Sequence, residues 1–142
     1  MANEHPEREQ IAYYKHWIDE TVRFHDLDAY NHVNNNVIGI YFETARMTLL
    51  EEVHPKGWTT DAHFVLAKNT ILFLNELRYP NRIRVGQRLL RLGETSMTSC
   101  GGIFYGNTCV AVGETVSVWI GNASRRPEKI PEHIRAAIER KA

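Results

Sequence analysis

The chain has 142 residues, the usual size of one domain, and its 43% hydrophobic and 24% charged residues are typical of a folded globular protein. Its 17 Lys and Arg residues balance 17 Asp and Glu residues, so no overall charge favours nucleic acid or a membrane as partner. No apolar run reaches the ~18 residues of a membrane span, and the polar N-terminus has no signal or transit pattern. We therefore expect one cytoplasmic domain over residues 1–142.

The first third of the chain predicts an arm, a strand and a long helix. Residues 1–14 have no clear period and are interpreted as an N-terminal arm. Alternation over 16–24 predicts a strand, and the three asparagines at 34–36 are candidate helix N-caps. A helix of about five turns follows until Pro55 and Gly57, because apolar residues recur three and four apart at Ile38, Tyr41, Phe42, Ala45, Leu49 and Val53.

The rest of the chain predicts four strands and a terminal helix. The strands are expected at 64–77, 82–94 (interrupted at Gly86), 96–105 and 108–120, with short turns between them. The spacing of apolar residues predicts a C-terminal helix over 130–141. One long apolar helix followed by antiparallel strands indicates an α+β fold in which the sheet wraps that helix.

The two cysteines are predicted to be free. A hairpin turning at 105–108 would place Cys109 opposite Phe104 and Cys100 opposite Gly113. The sulfurs would then lie four residues apart along the sheet, or roughly 13 Å, which is too far for a disulfide. We expect two buried thiols in a reducing compartment.

The residues most suggestive of chemistry lie where the first strand ends and the long helix begins. Asp26 and Asp28 fall at this junction, close to His32 and the three asparagines. A helix N-terminus offers free N–H groups to a developing oxyanion, and a carboxylate beside it can serve as base or nucleophile. The alternative is turn chemistry, because aspartate is common where strands end. We interpret Asp26 as structural and Asp28 as the chemical candidate.

The stretch DLDAYNHVNNNVIGIYFETAR resembles the active-site segment of hot-dog-fold acyl-CoA thioesterases of the 4-hydroxybenzoyl-CoA thioesterase-like group. The resemblance extends downstream through the strands and covers about 120 residues in all. It implies a hot-dog fold, an antiparallel sheet wrapped around one long central helix. It also implies that the chain is an enzyme, a thioester hydrolase that requires no cofactor besides the coenzyme A of its substrate.

The resemblance assigns roles to three residues of the junction. Asp28 matches the catalytic carboxylate, which attacks the thioester carbonyl or activates the water that does, and the backbone N–H of Asn35 matches the oxyanion donor. His32 matches a histidine of plant acyl-carrier-protein thioesterases; its alternative role is to order the loop. The chain departs from the pattern at Asn31, where most relatives have Gly, and at Tyr30, where the plant enzymes have Asn.

Substrate-binding candidates lie on the predicted sheet. Arg82 and Arg84 belong to an arginine-rich band and are candidates for the coenzyme A phosphates; the alternative is a charged sheet edge that opposes aggregation. Ser96 and Thr98 are candidates for the pantetheine path. No metal site is expected, since His25 has no ligand at suitable spacing. Glu43 and Arg46, three residues apart, are predicted to pair on the polar flank of the helix.

Hydrolysis of an acyl-CoA is therefore the leading prediction, with no nucleic-acid or membrane partner. The alternatives are an acyl-carrier-protein thioesterase, a hot-dog hydratase and a non-catalytic acyl-CoA-binding protein. The hydratase pattern Asp-x-Asn-Pro-x-His is not matched here, and a sensor would be expected to lack Asp28. Hot-dog chains usually pair, so a homodimer or homotetramer is expected, with the site shared between subunits.

Overall fold

The computed structural model describes residues 3–142, and it has the predicted α+β order of a strand, a long helix, four strands and a terminal helix. No helix in this described part of the chain is long and apolar enough to cross a membrane. The elements are β1 (His16–Val22), α1 (Asn35–Val53), β2 (Ala62–Phe73), β3 (Asn81–Leu92), β4 (Ser96–Tyr105), β5 (Thr108–Gly121) and α2 (Glu132–Lys141).

The five strands form one antiparallel sheet in the order β1-β3-β4-β5-β2, so that β1 and β2 are its edges. Helix α1 packs on one face of this sheet with Ile38, Tyr41, Phe42 and Ala45 buried. The helix approaches closely at Gly101, where a Cβ would come within 2.9 Å of the Phe42 ring. A side chain at this position would push the helix and the site at its N-terminus away from the sheet.

Residues 3–14 of the predicted N-terminal arm pack on the opposite face of the sheet, and residues 1 and 2 of the prediction lie outside the described residues. Two short 3-10 turns, Pro6–Glu9 and Ile11–Tyr13, lead to Tyr14, whose ring lies on Gly86 and Gly102. A Cβ at either glycine would come within 2.7 Å of Tyr14. The predicted interruption of the strand at Gly86 is therefore wrong. The strand runs through this residue, which lacks a side chain because the tyrosine ring occupies its place.

The cysteine prediction is confirmed except for one register. Both thiols are free and buried, and burial raises the pKa of Cys100 to about 11 and that of Cys109 to about 12. Cys109 pairs with Phe104 as predicted, but Cys100 lies opposite Glu114 instead of Gly113. A bulge between Ile103 and Phe104 shifts the register by one residue. Glu114 therefore points to the outer face, where Arg8 of the arm binds it at 2.7 Å.

Candidate active site

The loop between β1 and α1 is closed by backbone hydrogen bonds on both sides of Asp28. Leu27 and Val33 form an isolated antiparallel bridge, and the Asp28 N–H donates to the carbonyl of His32 at 3.1 Å. The Asn31 N–H donates to the carbonyl of Asp28, also at 3.1 Å, and Asn31 has a φ of 64°. This left-handed conformation explains why Gly or Asn suits the position. The loop thus holds the Asp28 backbone in one place.

The Asp28 carboxylate has few internal partners. Its Oδ1 accepts one hydrogen bond, from the Tyr30 N–H at 2.8 Å, and its Oδ2 lies 3.9 Å from Nδ1 of His32. The side chain is about one-quarter exposed, at 24%. A carboxylate can accept about four hydrogen bonds, so most of its lone pairs stay free to act on water or a carbonyl carbon.

The Asp26 carboxylate, by contrast, is 1% exposed and fully engaged. It accepts hydrogen bonds from the Tyr41 hydroxyl at 2.6 Å and from Arg23, through the backbone N–H at 2.9 Å and the guanidinium at 2.9 and 3.1 Å. Burial alone would raise the pKa of Asp26, but these hydrogen bonds outweigh it and hold the pKa below its ordinary value of 3.8. Asp26 therefore ties the loop to α1, in agreement with the structural role predicted for it.

The N-terminus of α1 presents a free amide at the end of this loop. Asn34 is the N-cap, and its Oδ1 accepts from the Asn36 N–H at 2.8 Å. The Asn34 N–H itself donates to the carbonyl of Asp26 at 3.0 Å, which fixes where the helix begins. Among residues 3–142 no acceptor lies within hydrogen-bond distance of the Asn35 N–H. This amide and the helix dipole are thus available to an anionic group.

A cavity of about 230 Å³ opens at this helix end. Its wall includes Asn35, His32 and Ile38 on one side. On the other side it includes Phe73, the last residue of β2, and Leu77 beyond it. Asp28 borders this region through the hydrogen bond to His32 but is not itself part of the wall. The cavity adjoins the edge strand β2, where residues 65–70 are all exposed. The arrangement joins a free carboxylate, a free helix amide and an apolar recess at an open sheet edge.

Comparison with known proteins identifies the family. The model of the thioesterase-like superfamily matches residues 22–138, a span that includes the whole loop and α1. The chain belongs to this superfamily. No curated protein sequence matches it. The predicted enzyme class, a thioester hydrolase, is confirmed at the level of the family.

Solved structures support the same assignment. The PA5185 protein of Pseudomonas aeruginosa PAO1 is 30% identical with a TM-score of 0.83, over 94% of each chain. A thioesterase of Thermus thermophilus, solved with coenzyme A and zinc, is 31% identical with a TM-score of 0.82, over 89% of this chain and 93% of its own. The 1,4-dihydroxy-2-naphthoyl-CoA thioesterase of Synechocystis, 18% identical over 87% of this chain and 94% of its own, shares the fold with a TM-score of 0.79. The predicted hot-dog fold is confirmed.

The four predicted substrate-binding residues do not lie beside Asp28 in the same subunit. Arg82 and Arg84 alternate with the buried Ile83 and Val85, so they project from the face of β3 opposite α1, and the Arg84 guanidinium lies 4.3 Å from the Trp17 ring centre. Ser96 and Thr98 lie at the other end of the sheet, in the part of β4 that packs near the C-terminus of α1. Their roles in binding stay predictions.

Arg46 is placed differently from the prediction. It does approach Glu43, but at 4.0 Å, and it is 7% exposed instead of lying on a polar flank. Burial lowers the pKa of Arg46 because it penalises the charged guanidinium, and Glu43 only partly offsets this effect. The spacing of apolar residues along the helix does indicate that position 46 is buried. Position 46 falls four residues after the buried Phe42 and three before Leu49, within the apolar stripe.

Sequence reasoning also missed two contributors to the site. The apolar spacing of α1 predicts only a core position for Tyr41, yet its hydroxyl donates to Asp26, fifteen positions earlier in the chain. Phe73 falls within a predicted strand with no role in the site, although it lines the cavity at the helix end. Neither role has a local sequence signature.

In residues 3–142 no three His, Cys, Asp or Glu side chains converge on a point where a metal could bind.

Proposed function

We propose that the protein hydrolyses acyl-CoA thioesters at the junction of the β1–α1 loop and the α1 N-terminus. The observation that carries the proposal is that one short loop presents the Asp28 carboxylate, with most lone pairs free, and leads into the free Asn35 amide, which lines a recess of about 230 Å³. Membership of the thioesterase-like superfamily and similarity to a coenzyme A-bound thioesterase support the substrate class.

Asp28 acts on the thioester in this proposal, either by attacking the carbonyl carbon or by taking a proton from the water that attacks it. In both cases negative charge develops on the carbonyl oxygen, and the Asn35 N–H with the positive end of the α1 dipole stabilises it. The thiolate of coenzyme A then leaves and takes up a proton. If Asp28 is the base, the acid is released directly; if Asp28 is the nucleophile, water hydrolyses the acyl-Asp28 anhydride, which frees the acid and restores the carboxylate. His32 orders the loop in this proposal: its carbonyl accepts from the Asp28 N–H at 3.1 Å, and its Nδ1 lies 3.9 Å from Oδ2 of Asp28.

The proposed active unit is a homodimer in which β2 of each subunit meets the other. Strand β2 has β5 on one side only, and it exposes Val65 at 42%, Leu66 at 40% and Phe73 at 47%. An uncovered apolar edge of this length favours pairing with a second chain. The recess borders this edge, so the partner would complete its wall. The two buried free thiols suit a cytoplasmic location.

The test of the chemistry is thiol release from a panel of acyl-CoA thioesters of different chain types by wild type and Asp28→Asn. We expect kcat to fall by at least about 10³-fold, because the amide cannot act as nucleophile or base, while Tm stays within about 2 °C. Asp61→Asn, a change at another exposed aspartate, is the matched control and should retain wild-type kcat.

Retention of wild-type rates by Asp28→Asn would remove Asp28 from the mechanism. Turnover confined to thioesters carried on acyl carrier protein would overturn the coenzyme A assignment and leave the chemistry intact. A light-scattering measurement at assay concentration tests the assembly, and full activity from a monomer would contradict the shared site.

A further inference from the structure

A polar patch lies buried beneath the second half of α1. Six polar or charged residues of the described chain are buried, and five belong to this patch: Arg46, Gln87, Ser99, Thr115 and Ser117. The four sheet residues share the α1 face, because each follows the register of Gly101 and Gly113, on which Phe42 rests. Apolar side chains would be expected on a sheet face covered by a helix.

Arg46 is the charged member of this patch and lacks a full set of acceptors. Its one ion pair is the 4.0 Å contact of Nη2 with Oε2 of Glu43, whose side chain is 64% exposed. No oxygen among residues 3–142 lies in hydrogen-bond contact with the guanidinium. None of the Arg46 nitrogens is among the fully enclosed, unpaired polar atoms of residues 3–142, so the guanidinium is open to solvent at the cavity that it lines. It is therefore available to an acceptor from solution.

The space for this acceptor is a small cavity that Arg46, Gln87 and Ser99 line together with apolar side chains that include Leu49, Leu89 and Ile138. Its volume is about 30 Å³, room for about two water-sized groups. The last turn of α2 covers it, because the Lys141 carbonyl contacts the His16 ring and the Lys141 ammonium pairs with Glu52. Lys141 is thus already neutralised, and Arg46 is the cation left without a close partner.

The chemistry of the wall indicates the kind of molecule that fits. A planar guanidinium binds a carboxylate with two parallel hydrogen bonds, and the Gln87 amide, 5% exposed, offers a further donor. The two oxygens of a carboxylate match the room for about two water-sized groups, and the guanidinium can hold both at once. The apolar side chains suit a hydrogen or methyl group on the carboxylate carbon.

We propose that this cavity is a binding site for a small carboxylate of the size of formate or acetate, with Arg46 as its ion-pair partner. The site is separate from the proposed catalytic centre. Arg46 lies eleven positions after Asn35, or about 16 Å along the helix. The binding is independent of any thioesterase activity and is tested without it.

The test is thermal unfolding of the purified protein titrated with sodium formate or acetate, against sodium chloride at equal ionic strength. A ligand that binds only the folded state raises Tm in a saturable way. We expect a rise of about 9 °C at a hundredfold excess over Kd. Arg46→Met fills the same space without charge and should lose the carboxylate-dependent rise, whether its own Tm is higher or lower.

Two further variants keep the test decisive if Arg46→Met does not fold. Gln87→Met removes the second donor at similar volume and should raise Kd several-fold. Arg91→Met, at an exposed arginine of β3, the strand that carries Gln87, is the matched control and should respond as wild type does. Absence of any anion-dependent rise would show that water alone fills the cavity. An equal rise with chloride, or an undiminished rise in Arg46→Met, would also overturn the carboxylate assignment.

Discussion

The two aspartates of the β1–α1 loop are two residues apart and occupy opposite environments. Asp26 is 1% exposed and accepts four hydrogen bonds from Tyr41 and Arg23. The Asp28 side chain is 24% exposed and accepts one, from the Tyr30 amide. A carboxylate whose lone pairs are all used holds structure together, whereas one with free lone pairs can react. The same chemical group is thus used for stability at one position and is left available at the other.

The comparison predicts opposite consequences for the same substitution. Asp28→Asn should remove activity and leave stability unchanged, as proposed above. Asp26→Asn should lower the free energy of unfolding by about 3 kcal/mol, since the amide no longer pairs with Arg23 and turns donors toward donors. Urea unfolding of both variants beside wild type measures this difference. Equal free energies of unfolding for the two variants would show that the hydrogen bonds of Asp26 do not stabilise the folded state.

Acid pH should weaken the Asp26 anchor selectively. The pKa of Asp26 is lowered in the folded state, so its contribution is fully present above the ordinary value of 3.8 and is lost as the pH falls through the folded value. The free energy of unfolding of wild type should therefore fall more steeply than that of Asp26→Asn between about pH 5 and pH 2. Urea unfolding at several pH values measures both curves. A constant gap between them would contradict the lowered pKa.

Tyr41→Phe tests the side-chain link between Asp26 and α1. The change removes one hydrogen bond to a charged acceptor and keeps the ring, so we expect a loss of about 2 kcal/mol in the free energy of unfolding. Tyr105→Phe is the matched control, because its hydroxyl makes no hydrogen bond within residues 3–142 and its loss should be nearly neutral. A similar loss in both variants would indicate a general effect of the hydroxyl group instead of the Asp26 link.

The sequence predicted the positions of β1 and α1 around this loop better than it predicted the contacts between their side chains. The strand period, the three asparagines and the apolar spacing located β1, the N-cap at Asn34 and the length of α1, because each depends on neighbouring residues. The position of the two acids at the junction already separates a structural Asp26 from a chemical Asp28, and the family resemblance assigns Asp28 the same role. The physical cause of this separation, the Tyr41 hydroxyl, depends on how α1 packs and has no local signature.

Two of the wrong predictions have causes that the local sequence pattern does not show. The shifted register of Cys100 comes from a bulge, and one extra residue in a strand leaves the alternation of apolar residues nearly unchanged. Gly86 suggested a break because glycine is rare inside strands. The reason for the glycine is Tyr14, more than seventy residues earlier in the chain. A contact of this kind depends on how the arm packs on the sheet, so the sequence around Gly86 does not predict it.

Asn31→Gly is expected to have the smallest effect of these substitutions, and it tests the turn that follows Asp28. Asn31 has a φ of 64° and lies in the turn that closes on the Asp28 carbonyl. Glycine adopts this conformation without steric cost but loses more entropy on folding, so we expect a net gain of only about 0.5 kcal/mol in the free energy of unfolding. Asn31→Ala, which places a Cβ in the same left-handed turn, should lose about 1 kcal/mol. Because the backbone path to Asp28 is unchanged, both variants should keep wild-type kcat in the thiol-release assay. A large fall in kcat for Asn31→Gly would mean that the asparagine side chain itself takes part in the reaction.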